Sequence, residues 1–365
     1  MPTEPAPSES DYRAAVAARL GEILAEHGAH AAGIHPAAAP AVEALARLTG
    51  AGKRLRAVLV WLGWRAAGGA ADDPRPVTAG AAFELFQAAA LVHDDILDRS
   101  DTRRGMPSVH RAFEARHREL GWRHDAEHFG VAAAILAGDV ALALSDATFS
   151  RALEGSARPE RARAEMERMR LEVMLGQYLD VAAEMAPAAA DAREAEQAAA
   201  AVVEYKAARY SAVHPLAFGG LLAGADDALV AAFERVSLPF GIAFQLQDDL
   251  LGVIGDPGTT GKPAGDDLRE GKRTVLIARA SALLPAEEWR RLDAELGDPG
   301  MTVERVRHWQ DRLGAVGARA AVADEVARLS RRAEDALDAL AGHGVPAAVR
   351  DELADLIRAY TVRAA

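Results

Sequence analysis

Apolar residues recur along most of this chain at the three- and four-residue spacing of a helix, and not at the two-residue spacing of a strand. Near the N-terminus, Val16, Leu20, Ile23 and Leu24 form one such stripe. The same spacing predicts further helices over residues 55–64, 77–98, 131–153, 161–185, 194–210, 238–254 and 324–340. Because alanine is abundant and β-branched and aromatic residues are sparse, the pattern predicts an all-α fold.

The chain is not divided by any long linker, although two segments resemble connectors. Residues 29–40 are rich in Ala, Gly and Pro, and residues 255–271 form a Gly/Pro/Asp loop. Residues 1–10 are rich in Pro, Glu and Ser and resemble a disordered lead-in. We therefore expect one helical domain over residues 11–365.

Composition excludes several classes of function. The chain has 42 basic and 54 acidic residues, a formal net charge of −12, so a general nucleic-acid binder is not expected. It has no cysteine, which excludes disulfides, thiolate nucleophiles and Cys-ligated zinc. No secretory signal pattern and no uninterrupted membrane-length apolar stretch occur. We expect a cytoplasmic protein without a transmembrane segment.

Two clusters of aspartates make the most specific chemical demand in the sequence. Asp94, Asp95 and Asp98 end one apolar helix, and Asp248 and Asp249 lie near the end of another. Asp94 and Asp98 share one helical face. Acids at a helix C-terminus oppose the helix dipole, and a buried carboxylate needs a cation or a shifted pKa. Hard oxygen ligands at this spacing suit Mg²⁺, which shares its coordination shell with substrate phosphates.

Basic residues stand close to these acids in the sequence. They occur in Gly52-Lys53-Arg54-Leu55-Arg56, at Arg103 and Arg104, and in the pairs Gly261-Lys262 and Gly271-Lys272. Arg103 and Arg104 could either neutralise the first acidic cluster or bind an anion. Paired acids for metals together with Lys and Arg for phosphate, in an acidic protein, indicate a diphosphate substrate.

In these motifs and their order, the chain resembles the trans-isoprenyl diphosphate synthases, which include farnesyl and geranylgeranyl diphosphate synthases. The resemblance covers residues 52–274. It implies the isoprenoid synthase fold, a single-domain bundle of about ten or more helices around a central cavity. It also implies a homodimer and a cluster of three Mg²⁺ ions, with Mn²⁺ as a substitute.

The resemblance also implies roles for individual residues. Both aspartate motifs would bind the metal ions, with Asp94, Asp98 and Asp248 counted as catalytic together with Arg103, Lys206 and Gln245. Isopentenyl diphosphate would be bound by Lys53, Arg56, Gln87 and Arg104, with Phe244 against it. The allylic diphosphate would be bound by Arg103, Lys206 and Lys262, with Gln177, Gln245, Asp267 and Lys272 nearby.

Two positions depart from the family pattern. The second motif usually ends in a third aspartate, where this chain has Gly252, and the lysine equivalent to Lys206 is commonly followed by threonine, where it has Ala207. Asp256 is too far along a helix to replace the missing aspartate. We interpret both changes as compatible with catalysis.

In this family the growing chain runs beside the first-motif helix, so residues upstream of Asp94 set product length. Ala89 and Ala90 are small, while Phe86 lies one turn further down and Phe83 another. We expect a C20 product, geranylgeranyl diphosphate, formed by head-to-tail (1'-4) condensation of isopentenyl diphosphate with an allylic diphosphate.

Other functions remain open from the residues alone. They are a farnesyl or longer polyprenyl diphosphate synthase, and a non-catalytic partner subunit, for which Gly252 and Ala207 are the only support. A class I terpene cyclase is a weaker fit, because its second metal motif needs asparagine and this chain has none. A plain helical scaffold would leave the acids unexplained.

Overall fold

The computed structural model describes residues 7–187, 189, 191–254 and 265–361. Its regular structure is almost entirely helical, which confirms the predicted all-α fold. Contacts divide the chain into two compact units, Met1–Ala164 with Pro215–Asp226, and Glu165–His214 with Asp227–Ala365. The single domain expected over residues 11–365 stays a prediction.

The first unit contains six complete helices within its described residues, and the N-terminal turn of α7 and nearly all of α9 also belong to it. A 3₁₀ turn over Pro36–Ala38 and a two-stranded antiparallel hairpin complete it. The elements are α1 (Glu9–Ile34), α2 (Ala39–Thr49), α3 (Leu55–Ala66), α4 (Arg75–Leu97), β1 (Thr102–Arg103), β2 (Met106–Pro107), α5 (Val109–Glu119), α6 (Ala126–Ala152), α7 (Pro159–Met185) and α9 (His214–Ala223).

The core of the first unit forms where α4 packs along α6. Phe83 of α4 meets Phe149 edge to face with ring centroids 5.0 Å apart, and Phe218 of α9 meets Phe83 at 5.7 Å. The Ser145 hydroxyl donates a hydrogen bond of 2.9 Å to the Ala82 carbonyl, so the polar group within this contact is satisfied. These contacts fix α4, which carries the first aspartate motif.

The second unit is built around the helix α10 (Asp227–Ile254), which packs against the helix α15 (Ala318–Ala341) and a π-helix over Val203–Val213. Its elements, besides most of α7, are α8 (Ala192–Val202), the π-helix, α10 (Asp227–Ile254), α11 (Asp266–Glu270), α12 (Val275–Leu283), α13 (Ala286–Glu295), α14 (Val303–Ala315), α15 (Ala318–Ala341) and α16 (Ala347–Thr361). Buried Leu246, Leu250 and Val253 of α10 belong to its core.

Several predicted boundaries differ from the structure. The lead-in over residues 1–10 ends earlier than expected, because Ser8 caps α1 in a capping box and Glu9 already begins the helix. The connector over 29–40 is partly helical, since α1 continues to Ile34. Helix α10 begins at Asp227 and not at residue 238, because its first turns are amphipathic, with Leu229, Phe233 and Val236 buried.

Two helices, α6 and α10, are long and apolar enough to cross a membrane by length and composition. Their most apolar windows are 39% and 56% buried. One or two such helices are weak evidence for membrane spans, since core helices pass the same test. The absence of a transmembrane segment therefore stays a prediction.

Candidate active site

The first aspartate motif ends α4 and is held by one arginine. Asp95 is buried, and the Arg103 guanidinium donates hydrogen bonds of 2.8 and 2.5 Å to its Oδ1. The same guanidinium lies 3.4 Å from Oδ2 of Asp94, and Asp98 is the half-exposed C-cap of the helix. Burial opposes the charge on Arg103, but Asp95, Asp94 and Asp98 raise the pKa of its guanidinium. Arg103 thus balances part of the negative charge of this acidic cluster.

A tight hairpin positions both arginines that follow the motif. Arg103 in β1 pairs with Met106 in β2, and the turn between them has positive φ at Arg104 (54°) and Gly105 (74°). Such a pair of left-handed residues is typical of the two-residue turns that fit the twist of a hairpin. The turn directs Arg104 towards the end of α2, where it donates to the Leu48 carbonyl at 3.1 Å and to the Ala51 carbonyl.

One buried carboxylate of α4, that of Glu84, lies among arginines at the start of α3 and in the β1–β2 turn. Glu84 lies 3.4 Å from Arg54, and Arg56 and Arg104 are close enough to lower its pKa. Burial outweighs these cations and raises the pKa of Glu84 above its usual value. In the same cluster, burial lowers the pKa of Arg104, Glu84 opposes this, and the other arginines lower it further. The excess positive charge is of the kind that favours an anion.

Lys53 and Gln87, predicted with Arg56 and Arg104, lie on the same unit. Lys53 is exposed just before α3, and Gln87 is half-buried on α4. Gln87 stands seven residues before Asp94, which places both on one face of the helix.

The second aspartate motif contains one buried and one exposed acid. Asp249 is buried and accepts a hydrogen bond of 2.7 Å from Nε2 of Gln245, whereas Asp248 is exposed. Burial and the nearby charges of Asp267 and Asp248 raise the pKa of Asp249 to about 8, against the hydrogen bond and Lys272. A cation placed here would relieve this repulsion.

Lys206 is carried by the π-helix and is paired with Asp180 of α7. A Cβ on Gly176 would overlap the backbone of Lys206, so glycine is needed for α7 to approach this closely. Gln177 and Asp180 follow on α7. The motif Gly-Gln-x-x-Asp formed by residues 176–180 therefore has two structural roles. Its glycine allows α7 to pack closely on the π-helix, and its aspartate pairs with Lys206.

The remaining predicted residues lie at several places in the chain. Lys272 makes an ion pair of 2.8 Å with Glu270, and its charge also acts on Asp249. The Phe244 ring packs edge to face on Tyr360 with centroids 5.6 Å apart. Lys262 and Asp256 are outside the described residues.

The four predicted length-determining residues do not all share one face of α4. Phe86, Ala90 and Asp94 are spaced four residues apart and therefore form one ridge, while Ala89 is rotated by about 100° from Ala90. Phe86 and Ala89 are buried, and Ala90 is half-buried. Phe83 is fully buried in the aromatic cluster with Phe149 and Phe218.

Comparison with known proteins decides the family. The profile of the polyprenyl synthetase family matches residues 40–312. The chain belongs to the polyprenyl synthetase family. Among solved structures, it is similar to geranylgeranyl pyrophosphate synthase from Corynebacterium glutamicum complexed with isoprenyl diphosphate and magnesium, with a TM-score of 0.89, 37% identity, and coverage of 97% of this chain and 99% of that one.

Curated relatives agree with this assignment. Geranylgeranyl diphosphate synthase of Mycobacterium tuberculosis is 36% identical over 63% of this chain and 58% of its own length. The corresponding protein of Sulfolobus acidocaldarius is 32% identical over 71% and 72%. Geranylfarnesyl diphosphate synthase of Aeropyrum pernix is 32% identical over 63% and 66%. The resemblance to trans-prenyltransferases predicted from the motifs is confirmed at the level of family and fold.

The residues of this polyprenyl synthetase fit a magnesium-bound diphosphate. In the described part of the chain, no three His, Asp or Glu side chains already form a metal cage. Mg²⁺ is usually bound through one or two carboxylates, with substrate phosphates and water completing its shell. Carboxylates that repel one another around Asp249 are suitable donors.

Two residues of this family member were missed from the sequence. Glu84 and Arg54 belong to the cationic cluster, yet neither was predicted as a site residue. Glu84 is the one charged residue in the stretch 79–92, which is a signal that could have identified it.

Proposed function

We propose that this polyprenyl synthetase condenses isopentenyl diphosphate head-to-tail (1'-4) with an allylic diphosphate, and that its main product is the C20 geranylgeranyl diphosphate. The observation that carries the proposal is the cluster of Arg54, Arg56 and Arg104 around the single buried carboxylate of Glu84. Three guanidiniums with one internal counter-charge leave net positive charge for a diphosphate group. Lys53 and Gln87 would complete this isopentenyl diphosphate site.

The allylic diphosphate would be bound at the aspartate motifs. Asp94, Asp95, Asp98, Asp248 and Asp249 would hold Mg²⁺, which neutralises charge on the departing diphosphate. Three ions, and Mn²⁺ as a substitute, belong to the same proposal. Arg103 and Lys206 are each held by a carboxylate of their own unit, and each would transfer part of its hydrogen bonding to the diphosphate. Lys262, Gln177, Gln245 and Lys272 are proposed to support this group.

The carbon skeleton needs an apolar environment from which water is excluded, because an allylic cation reacts readily with water. The ridge of α4 below Asp94 offers small and aromatic side chains, with Ala90 first and Phe86 next. A product would extend past Ala90 and stop at Phe86. This arrangement supports C20, and a geranylfarnesyl or other longer product is the competing outcome.

Product analysis tests the proposal. The purified protein is incubated with labelled isopentenyl diphosphate, Mg²⁺ and, separately, the C5, C10 or C15 allylic diphosphate. We expect C20 diphosphate as the longest abundant product, and no elongation by the Asp94→Asn variant. Folded wild-type protein that elongates none of the primers would overturn the proposal and favour the non-catalytic partner subunit, for which Gly252 and Ala207 are the supporting residues.

We further propose that the protein acts as a cytoplasmic homodimer. Leu171, Met174, Leu175 and Tyr178 of α7 are 50–69% exposed and follow one another at helical spacing. A contiguous apolar face of this kind marks an interaction surface.

A further inference from the structure

The end of α5 and the turn that follows it expose two large apolar side chains close together. Leu120 is 50% exposed and Trp122 is 45% exposed. Trp122 is also the exposed one among the five tryptophans of the chain, since the other four are buried or half-buried. We call residues 115–124 the α5–α6 tip. Exposed apolar side chains with a polar rim are typical of a surface that binds a partner or a membrane.

The exposed ring of Trp122 is held in one orientation. It packs edge to face on Phe129 of α6 with centroids 5.1 Å apart, and on the His117 ring with centroids 6.0 Å apart. Nε2 of His117 donates a hydrogen bond of 3.0 Å to the Arg123 carbonyl, and the Trp122 N–H donates one of 3.1 Å to the His117 carbonyl. Because the ring and the backbone are both fixed, little conformational entropy would be lost when Trp122 enters another phase.

Basic residues surround these two apolar side chains. The α5–α6 tip has three exposed arginines and one exposed acid, namely Arg116, Arg118, Arg123 and Glu119. Arg118 pairs with Glu114, whose carboxylate Arg111 also bonds, and the next acid, Asp125, is engaged as the N-cap of α6. In a chain with a net charge of −12, this basic and apolar tip is a local exception.

The tip lies at the same end of the first unit as the first aspartate motif. Ser145 of α6 bonds Ala82 of α4, and Nε2 of His93 donates a hydrogen bond of 3.2 Å to the Ile135 carbonyl, so the two helices run antiparallel. Helix α6 begins nine residues before Ile135, about 14 Å along its axis, whereas α4 ends four residues after His93. The α5–α6 tip therefore projects beyond the end of α4 that carries the motif.

We propose that the α5–α6 tip binds the surface of an anionic lipid bilayer, with Leu120 and Trp122 in the interfacial region and the arginines on the headgroup phosphates. Tryptophan favours this region because one side of its ring system is apolar and the indole N–H stays in contact with water. Arginines near an anionic leaflet are attracted to it. Two apolar side chains give reversible contact and not a permanent anchor. One consequence rests on the proposed function: the contact would bring the motif end of α4 close to the phase that dissolves the apolar tail of the product.

Flotation of the full-length protein with lipid vesicles tests the proposal. Vesicles of phosphatidylcholine with about one third phosphatidylglycerol are compared with vesicles of phosphatidylcholine alone. Wild type should float with the anionic vesicles only, and added salt should release it. Leu120→Gln and Trp122→Gln should each weaken binding several-fold, because each removes apolar contact with the lipid. Arg116→Glu combined with Arg123→Glu should weaken it about 25-fold or more, since each arginine near an anionic surface contributes a factor of about five.

Matched variants elsewhere in the chain separate the tip from general effects. Ile34→Gln removes an apolar side chain that is 70% exposed at the end of α1. Arg331→Glu combined with Arg332→Glu reverses two exposed charges on α15. Both controls should bind the anionic vesicles like wild type. If they weaken binding as much as the tip variants do, overall charge or hydrophobicity explains the binding and the inference is overturned.

Fluorescence quenching locates the contact without any change to the packing of the tip. Because Trp122 is the exposed tryptophan, lipids with brominated acyl chains should quench part of the wild-type fluorescence. Trp122→Phe should bind the same vesicles without that quenching. If a glutamine variant fails to fold by circular dichroism, quenching of wild type decides. Wild type that does not bind anionic vesicles, or that binds them without quenching, would overturn the inference.

Two further measurements on the same samples distinguish the other outcomes. If Leu120→Gln or Trp122→Gln lowers the mass of the protein in solution, the tip joins two copies of the chain and the lipid proposal is rejected. Elongation of soluble primers without vesicles should be unchanged in the tip variants, because the tip contributes no residue to the candidate active site. Vesicle binding is measured without substrates, so a protein that binds lipid but elongates nothing rejects the proposed reaction alone.

Discussion

The buried carboxylate of Asp249 is expected to lower the free energy of unfolding when no cation is bound beside it. The pKa of Asp249 is raised to about 8 by burial and by Asp267 and Asp248. Its value in the unfolded chain is close to 3.8. Between these two values the folded state binds more protons than the unfolded state, so the free energy of unfolding falls as pH rises from about 4 to about 8.

We therefore predict that the free energy of unfolding of Asp249→Asn falls less than that of wild type as the pH rises. Without divalent ions, the variant should gain in melting temperature over wild type as pH is raised from 5 to 8. Excess Mg²⁺ with pyrophosphate should raise the melting temperature of wild type more than that of the variant. Asp248→Asn, at the exposed neighbour, should retain most of the wild-type pH dependence. If the melting temperature depends on pH equally in wild type and in Asp249→Asn, the raised pKa of Asp249 is contradicted.

The sequence predicts the role of a residue well when the residues that act with it are its neighbours in the chain. The aspartate motifs and the Gly-Lys-Arg-x-Arg element could be recognised because their members are neighbours in sequence. The pairing of Lys206 with Asp180 and the close approach of Asp267 to Gly252 could not, because each depends on how two helices pack. Glu84 was missed for a related reason, since its arginines lie on other elements.

Among the helical elements, the π-helix connects a structural ion cluster to the proposed site. It ends at Val213, and the next residue, His214, has its Nδ1 2.7 Å from Glu165 and its Nε2 3.0 Å from Glu172. Burial disfavours the charged imidazole, yet the two carboxylates raise the pKa of His214, and both carboxylates have lowered pKa values. His214, which bonds one glutamate through each ring nitrogen, therefore fixes the end of the segment that carries Lys206.

We predict that His214→Gln destabilises the protein, and most strongly near pH 6. The histidine contribution is fully present below its unfolded pKa of 6.5 and is lost as pH rises through the higher folded value. The glutamate contributions are present above 4.5 and are lost as pH falls through the lower folded values. Removing one partner of a buried pair costs about 3–5 kcal/mol.

Urea unfolding at several pH values measures this effect. The difference between wild type and His214→Gln should shrink as the pH rises through the raised pKa of His214, where the histidine loses its proton. His343→Gln, at an exposed histidine, should match wild type throughout. A difference that stays the same from pH 6 to the highest pH at which the protein folds would show that charge on His214 does not contribute.

The π-helix itself was not predicted, because its residues continue the apolar spacing of α8. What distinguishes it is packing: Cβ atoms on Gly176 or Gly241 would overlap its backbone at Lys206 or Ala208. Such π-segments are frequent at functional sites. The β1–β2 hairpin was missed because two residues per strand are too few for an alternating pattern, although Arg104-Gly105 is a recognisable turn.

Helix α4 makes a prediction about product length. Phe86→Ala should lengthen the products beyond C20, because it opens the ridge one turn below Ala90. Chromatography of the dephosphorylated products measures this. The control is Phe83→Leu, a smaller change within the packed aromatic cluster. Its main effect should be to lower the stability of the protein, with little change in product length. An unchanged product profile in Phe86→Ala would reject its role as the floor.

Across the whole chain, the fold class could be predicted because helical spacing runs through nearly every segment. The boundary of α10 could not, since an amphipathic start gives a weaker signal than the uniformly apolar stretch after it. Assembly is harder still to read from sequence. The exposed face of α7 has the same spacing as a helix buried in a core, and only its exposure identifies it as a surface.

The proposed homodimer can be tested by changing the exposed apolar face of α7. Leu175→Glu places a charge at the centre of the face formed by Leu171, Met174 and Tyr178, and a buried unpaired charge at an interface is strongly unfavourable. Light scattering coupled to size-exclusion chromatography should show wild type at twice the 38.5 kDa chain mass and the variant shifted towards one chain. Arg163→Glu, at an exposed polar position of the same helix, should remain like wild type. If Leu175→Glu keeps the wild-type mass while its circular dichroism is unchanged, another surface must join the subunits, because a stable interface would not accept that charge at its centre.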